Sequence, residues 1–413
     1  MTAPEVINFG CRLNLFEAEV IRRSAEAAGL QNAIIVNTCA VTSEAERQAR
    51  QAIRRARRDH PGCQVIVTGC AVQIAPDRYA AMPEVDRVIG NREKLLAESY
   101  RSAASRLVSD IAEARETAPH LIDGISGHAR AFLEVQQGCD HRCTFCVIPL
   151  GRGPSRSVPA GEVVERARAL VKTGHNEIVL TGVDLTAYGE DLPGKPNLGQ
   201  LARRLLKLVP ELKRLRLSSL DPVEIDEDLW RLLAEEPRLM PHLHLSIQSG
   251  DDLILKRMKR RHSRQEALSA CAKARDLRPG VALGADFIAG FPTENEAMFA
   301  NTLSLAEEAE LDYLHVFPYS ARDLTPAARM PQVRGDTIRE RAARLRELGG
   351  TALARSLAAR IGSTALVLAE GDGTSGHSEH HAPVRLPHSI PRGSVLEVRL
   401  AASTGATLIG EAL

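Results

Sequence analysis

The sequence predicts an α/β protein in three parts: a doubly wound N-terminal domain, a partial or full (βα) barrel, and a small C-terminal β-barrel. Three observations lead there. Short β-branched runs alternate with longer amphipathic stretches from the start of the chain, which is the pattern of a parallel sheet covered by helices. The alternation breaks once, at 117–128, where Pro119, Gly124, Ser126 and Gly127 cluster, and then resumes through six further strand-like runs. The end of the chain carries only short strand-like runs and turn residues.

In the first part, residues 6–10, 33–38 and 64–69 read as strands. Residues 16–28 and 43–58 between them have the apolar spacing of surface helices, and Ser43 with Glu46 fits a capping box. In the second part, the strand-like runs are 131–137, 177–181, 214–218, 242–247, 281–289 and 313–318, separated mostly by helical patterns, as a βα-barrel requires. A helix-rich stretch at 336–359 leads to candidate strands at 364–369, 395–400 and 407–409. The Gly, Ser and His content of 370–381 reads as a surface loop. The expected domains are 1–122, 128–350 and 353–413.

The 413 residues are 44% hydrophobic and 25% charged, ordinary values for a globular protein with sizeable cores. With 53 basic and 52 acidic residues the net charge is +1, so attraction to nucleic acid must come from local patches. Neither a secretory leader nor an apolar run of membrane-spanning length is visible, and a cytoplasmic location is expected. In that reducing setting eight cysteines point to metal binding or catalysis rather than to disulfides.

The strongest motif is Cys139-Asp140-His141-Arg142-Cys143-Thr144-Phe145-Cys146, at the end of the first barrel strand, where a barrel places its active site. Three close thiolates can hold a 4Fe–4S cluster and leave one iron open to a ligand. A zinc site, or three unrelated buried thiols, is the competing reading. Three single cysteines, Cys11, Cys39 and Cys70, each end a strand of the first part. Ligands gather outside the carboxyl ends of parallel strands, so these three thiols can meet in one crevice. Any one of them alone reads as a core residue. Cys63 and Cys271 fall outside every motif and read as structural.

The CxxxCxxC spacing with Phe145 before the last cysteine resembles the radical S-adenosylmethionine superfamily. Phe9-Gly10-Cys11-Arg12-Leu13-Asn14, Asn37-Thr38-Cys39-Ala40-Val41-Thr42 and Thr68-Gly69-Cys70-Ala71-Val72-Gln73 are similar to the three cysteine motifs of its methylthiotransferases. The likeness continues in Arg152-Gly153-Pro154-Ser155-Arg156-Ser157, Ile247-Gln248-Ser249-Gly250 and Asp286-Phe287-Ile288-Ala289-Gly290-Phe291-Pro292. The resemblance implies two 4Fe–4S clusters. Cys139, Cys143 and Cys146 would hold the one that binds S-adenosylmethionine, while Cys11, Cys39 and Cys70 would hold an auxiliary one that presents sulfur. One S-adenosylmethionine would supply a methyl group, and a second would yield the radical that removes a hydrogen. Phe145, Thr181, Gly182, Ser218, Gln248 and Ile288 are the expected cofactor contacts, with simple barrel packing as the alternative for each. Superfamily members often place an acidic residue near Gly182 to hold the cofactor's amino group; here Val183 stands there and Asp184 follows, and the choice stays open.

The segments 181–189 and 315–320, the latter followed by Thr325-Pro326-Ala327-Ala328, resemble the branch acting on N6-threonylcarbamoyladenosine next to the anticodon of transfer RNA. Other branches act on isopentenyladenosine in transfer RNA or on a ribosomal-protein aspartate. A reducing electron-donor protein would be a further partner. Two basic runs are candidate RNA contacts: Arg47, Arg50, Arg54, Arg55, Arg57 and Arg58 on one helix, read equally as a solvated face, and Lys256, Arg257, Lys259, Arg260 and Arg261. The last part resembles a small TRAM-like RNA-binding barrel, with Arg385, Arg392 and Arg399 as phosphate contacts. His377, His380 and His381 offer metal ligands, with a flexible polar loop as the preferred reading. The rival from another class is a non-enzymatic iron–sulfur RNA-binding or electron-transfer protein.

Overall fold

The computed structural model describes residues 2–115 and 128–413. The expected first boundary, at 117–128, lies almost wholly outside the described residues.

The first sheet is parallel and holds Glu5–Asn8, Ala33–Thr38, Gln64–Gly69, Arg87–Ile89 and Arg106–Leu107. Alternate residues of one strand serve opposite faces. Ile35, Ile66 and Ile89 pack with Ile21 and Ala25 of helix Arg12–Ala27, while Ile34, Val36, Val65 and Val67 pack with Ile53 and Ala56 of helix Ser43–Asp59. Both faces are therefore helix-covered, as expected of a doubly wound sheet. The strands, however, follow chain order without reversal. Parallel direction alone brings Thr38 and Gly69 level at the carboxyl edge, where they pair in register.

The second part places six parallel strands in two sheets: Arg130–Glu134, Glu177–Thr181 and Arg214–Leu217 in one, His242–Gln248, Ala282–Ala289 and Tyr313–Pro318 in the other. Bridges Leu215 to Leu239 and Leu220 to Leu245 join the two. Among the described residues no pairing closes the first strand onto the sixth, so the barrel is partial and open on that side. Leu133, Ile178, Leu215, Leu243, Leu283 and their neighbours point outward into the largest core, against the surrounding helices. The alternate residues Arg130, Glu177, Arg214, Arg216, His242, His244 and Asp286 are left facing inward, and most are buried polar groups. Capping boxes at Asn197 with Gln200 and Ser263 with Glu266 start two of the outer helices.

Helix Gly335–Ala358 leads to a closed five-stranded barrel of Thr364–Glu370, Ser375–His377, Pro383–Arg385, Val395–Ser403 and Leu408–Glu411. Its core is Ala365, Val367, Val384, Val398 and Leu408. It docks under the amino ends of the partial barrel. Arg214 donates to the Leu366 and Ser378 carbonyls at 3.2 and 3.0 Å, Arg216 donates to the Glu379 carbonyl at 3.2 Å, and the Tyr313 hydroxyl donates to the His380 carbonyl at 3.1 Å. This corrects the reading of 370–381 as a flexible loop. It contains a strand, and His381 packs edge-on against His242 at 5.0 Å. Burial first, then the nearby Arg360 and Arg278 guanidiniums, push His380 down to about 3. The corresponding signal, alternation over only three residues, is too short to read as a strand.

Candidate active site

Cys139, Cys143 and Cys146 lie on the loop that leaves the first barrel strand. Two glycines shape it. A Cβ at Gly138 (φ +73) would strike the Pro154 carbonyl oxygen at 1.9 Å, and one at Gly153 (φ +74) the Ile111 carbonyl oxygen at 2.2 Å. The loop also borrows bonds from neighbours: Thr144 N–H donates to the Met258 carbonyl at 3.0 Å, and its hydroxyl to the Arg257 carbonyl at 2.8 Å. All the cysteines are free thiols. Burial pushes Cys146 up to about 12, and Cys139 is raised by burial and by the charge of Asp184 beside it. Cys143 goes the other way: against burial, the His141 side chain and the Arg260 charge bring it down. A cleft of about 470 Å³ reaches Cys143 and Cys146 and is bounded by His141, Lys259 and Leu324.

Around this loop, Gln136 fixes the next strand end. Its amide donates to the Gly138 carbonyl at 2.8 Å and to the Ser155 hydroxyl at 2.9 Å, and its carbonyl accepts from Val183 and Asp184 N–H at 2.9 and 2.8 Å. A Cβ at Gly182 would meet that same Gln136 oxygen at 2.9 Å, so the position stays bare. Asp184 lies 3.5 Å from the Cys139 sulfur and 3.2 Å from His141. The structure thus places Asp184, rather than Val183, at the thiols.

The remaining expected contacts fall on the same carboxyl-end layer. Thr181 is buried with its hydroxyl on the Val179 carbonyl at 3.2 Å. Ser218 is 8% exposed, and its hydroxyl has no partner, an orphan that a bound polar ligand would satisfy. Gln248 ends its strand at φ 72, a left-handed conformation held at the rim. Ile288 and Phe145 pack in one small cluster with Phe291, whose ring meets Phe145 edge-on at 6.3 Å.

Cys11, Cys39 and Cys70 gather at the carboxyl edge of the first sheet. A Cβ on Gly10 would meet the Cys39 sulfur at 2.8 Å, and one on Gly151 the Cys70 Cβ at 3.1 Å. Gly151 belongs to the short helix Ile148–Arg152 directly after Cys146, so the two triads share a wall. Burial, then the neighbouring Cys70, pushes Cys39 up to about 12. Cys63 rests against the core of this sheet and Cys271 inside the barrel core.

Beside the dispersed triad stands Arg152, which the sequence shows only as part of a motif. It is 3% exposed and donates to Glu17 at 2.9 and 3.0 Å, to Gln137 at 2.6 Å and to Asn14 at 2.6 Å. Lys94 completes the buried set at 2.7 Å from Glu17. Burial opposes the Arg152 charge, but Cys70, Glu17 and Cys11 more than restore it. No local pattern signals this ion network, because its members come from four separate segments.

The basic runs are largely spent internally. Arg260 donates to Asp221 at 2.7 Å and to the Ser246 carbonyl at 2.6 Å, Arg257 to Thr293 at 2.8 Å, and Arg261 pairs with Glu224. On helix Ser43–Asp59, Arg47, Arg50, Arg54, Arg57 and Arg58 each sit beside a carboxylate. The expected capping box there is replaced: Thr42 caps the helix, and Ser43 bonds Ser320 instead.

Residues 133–306 match the Radical SAM superfamily, and residues 4–90 match the uncharacterized protein family UPF0004. The chain is 52% identical, over 96% of its length and 94% of the relative's, to the threonylcarbamoyladenosine tRNA methylthiotransferase MtaB of Rickettsia prowazekii. The chain belongs to the radical S-adenosylmethionine methylthiotransferase family. A tRNA-2-methylthio-N(6)-dimethylallyladenosine synthase of Cereibacter sphaeroides is 34% identical over 98% of the chain and 97% of that protein. In fold, this methylthiotransferase is similar to the solved radical S-adenosylmethionine methyltransferase TsrM of Kitasatospora setae, with a TM-score of 0.53, 14% identity, and coverage of 79% of this chain and 77% of that one.

As a radical S-adenosylmethionine enzyme it works with a 4Fe–4S cluster and S-adenosylmethionine. The donor set at Cys139, Cys143 and Cys146 fits: burial keeps the Cys139 and Cys146 thiols protonated, and a bound cation would favour the thiolates that ligate it. Among the described residues no helix is long and apolar enough to cross a membrane.

Proposed function

We propose that this enzyme converts N6-threonylcarbamoyladenosine beside the anticodon of transfer RNA to its 2-methylthio derivative. The observation that carries the reading is the pair of thiol triads joined by the helix Ile148–Arg152, whose first N–H donates to the Cys146 sulfur and whose Gly151 lies against Cys70, in a chain 52% identical over nearly its whole length to a relative named for that activity. Cys139, Cys143 and Cys146 hold the cluster that cleaves the cofactor, and Cys11, Cys39 and Cys70 hold a second 4Fe–4S cluster that presents the sulfur. When bound, the first cluster supplies the electron that turns S-adenosylmethionine into the hydrogen-abstracting radical.

The chain's own residues do the positioning. Gln136 clamps the backbone of Val183 and Asp184 so that the Asp184 carboxylate meets the cofactor's amino group. Phe145 and Ile288 give its adenine an apolar wall, and Thr181, Gly182, Ser218 and Gln248 complete the rim. Arg260, locked by Asp221, places a fixed positive charge 3.9 Å from the Cys143 sulfur. Arg152 keeps the two triads at constant separation and balances their negative charge. The part spanning 353–413 contacts RNA through Arg385, Arg392 and Arg399, and a reducing protein delivers electrons in the cytoplasm.

Mass spectrometry of nucleosides from transfer RNA of a strain lacking the gene, with and without its restoration, tests the reading. Loss of 2-methylthio-N6-threonylcarbamoyladenosine with accumulation of its precursor is expected. Loss of the isopentenyl counterpart instead would assign the enzyme to the other transfer RNA branch.

A further inference from the structure

One barrel layer below the cofactor rim lies a polar group that the steps above do not use. Asp286 stands two residues before Ile288 on the same inward face, about 7 Å down the strand. One of its oxygens meets two imidazoles: His244 Nε2 at 2.8 Å and His315 Nδ1 at 3.4 Å. The rings lie 4.4 Å apart. The space is built for them, because a Cβ at Gly284 would strike His244 Nδ1 at 2.6 Å. Burial opposes the Asp286 charge, yet the two rings hold its carboxyl well below the usual range.

The two histidines differ in reach. His244 is buried, whereas the His315 side chain is 51% exposed on the sixth strand, at the unclosed side of the barrel. Asp286 occupies His315 Nδ1, and Nε2 has no partner among the described residues. With Asp286 on Nδ1, a carboxylate arriving at Nε2 places a second acceptor on the ring, so that a proton on each nitrogen is bonded and the contact is charge-assisted. Arg214 and Arg216, the cations nearer the floor, cannot serve an incoming anion, since Glu177 and the carbonyls of Leu366, Ser378 and Glu379 take their donors.

We propose that His315, oriented by Asp286 and His244, binds the carboxylate of the threonylcarbamoyl group and so selects that nucleoside over neutral, apolar-substituted adenosines. This assignment rests on the reading of the substrate given above. The N6 substituent carries an anion, and His315 is the accessible donor on the open side of the barrel, a strand layer from the cofactor rim.

The test is equilibrium binding of cluster-loaded enzyme, without reductant, to two anticodon stem-loops, one carrying N6-threonylcarbamoyladenosine and the other its carboxylate methyl ester. The native enzyme should prefer the free acid by about tenfold, the effect of one charge-assisted hydrogen bond. His315→Phe should bind both RNAs alike, at the affinity the native enzyme shows for the ester. Should the phenylalanine variant fail to load clusters, His315→Gln must still cut the preference at least threefold. Equal binding of acid and ester by the native enzyme, or an undiminished preference in His315→Gln, would overturn the assignment. So would a stoichiometric non-iron metal that His315→Gln loses, which would make the three side chains a metal centre. Methylthiolation of the free-acid RNA by the native enzyme is scored separately: no product there sinks the substrate reading, while product with no acid preference sinks only the role of His315.

Discussion

The two cysteine triads reach similar ends by opposite routes. Cys139, Cys143 and Cys146 sit within eight residues on one loop, and their arrangement is local: glycines at 138 and 153 shape the turn, and neighbouring carbonyls anchor it. Cys11, Cys39 and Cys70 come from three strand ends separated by whole helices, and only the parallel register of the sheet brings them together. The local triad is set among three titratable neighbours, His141, Asp184 and Arg260, while the dispersed one is packed against backbone, Asn91 and the Gly151 helix, with the Arg152 guanidinium beside it. A site meant to bind and cleave a charged cofactor gathers polar side chains. Under the proposed reading the dispersed triad only holds a cluster in place, and it gathers walls.

The largest effects should come from breaking the triads one at a time. Cys143→Ser should abolish both deoxyadenosine formation and methylthiolated product, each by on the order of 1,000-fold. Cys70→Ser should lose product to the same degree yet keep deoxyadenosine formation within about threefold. Liquid chromatography of both products from one reaction separates the cases. If Cys70→Ser also stops cofactor cleavage, the two triads are not independent centres.

Next in size is the wall between them. Arg152→Met removes a buried guanidinium from Glu17 and leaves that carboxylate with Lys94 as its charged partner and the Gln137 amide at 3.4 Å. Stranding part of a buried ion network costs about 3 to 5 kcal/mol, read as a lower denaturant midpoint at unchanged slope. A variant of native stability would show that the wall is made by packing and not by charge.

A comparable contrast operates at the floor of the barrel, far from either triad. Burial raises the Glu177 carboxyl, but Arg216 and Arg214 overturn that and bring it down to about 2, against an ordinary 4.5. Its folded value is depressed, so its stabilising contribution is full above pH 4.5 and is lost as pH falls toward 2. The linkage is worth about 3 kcal/mol. Thermal unfolding followed from pH 6 down to pH 3 should show this slope in the native chain and a flatter one in Glu177→Gln. Equal slopes would mean that the two arginines are satisfied by the small barrel's carbonyls alone.

What the sequence revealed follows the same division between local and dispersed. The contiguous cysteine loop, the first three strands of the first sheet, the six strands of the partial barrel and the long last helix were legible because each is encoded by spacing within a dozen residues, whereas Arg87–Ile89 and Arg106–Leu107 are too short to read. The dispersed triad was legible only because three cysteines repeat one position, the strand end. Arg152, Gln136 and the His244, Asp286 and His315 group carry no such repetition; their partners lie on other strands, and a charged residue facing a barrel interior reads the same as one facing water. In the run 256–261, whose charges suggest a surface for phosphate, Asp221, far earlier in the chain, turns Arg260 inward, while Arg261 pairs with Glu224 and stays exposed. The run 377–381 misled by composition, since polar histidines half-buried against another domain resemble a loop until that domain is present.

The smallest expected effect tests whether the dispersed triad also depends on a second tether. Ser43 and Glu46, at the start of the helix that follows Cys39, bond Ser320 and Arg322 on the loop after the sixth barrel strand. Glu46 has two other partners, Arg50 at 3.6 Å and Arg78 at 3.5 Å, so Arg322→Ala strands no charge. The loss should be about 1 kcal/mol or less in stability. Its sharper readout is coupling: the ratio of methylthiolated product to deoxyadenosine should fall, because the auxiliary unit can then shift against the barrel while cofactor cleavage continues. Adding Ser320→Ala should deepen the uncoupling, since it removes the second bond of the same tether. An unchanged ratio in the double variant would leave the Arg152 network as sufficient to hold the triads in place.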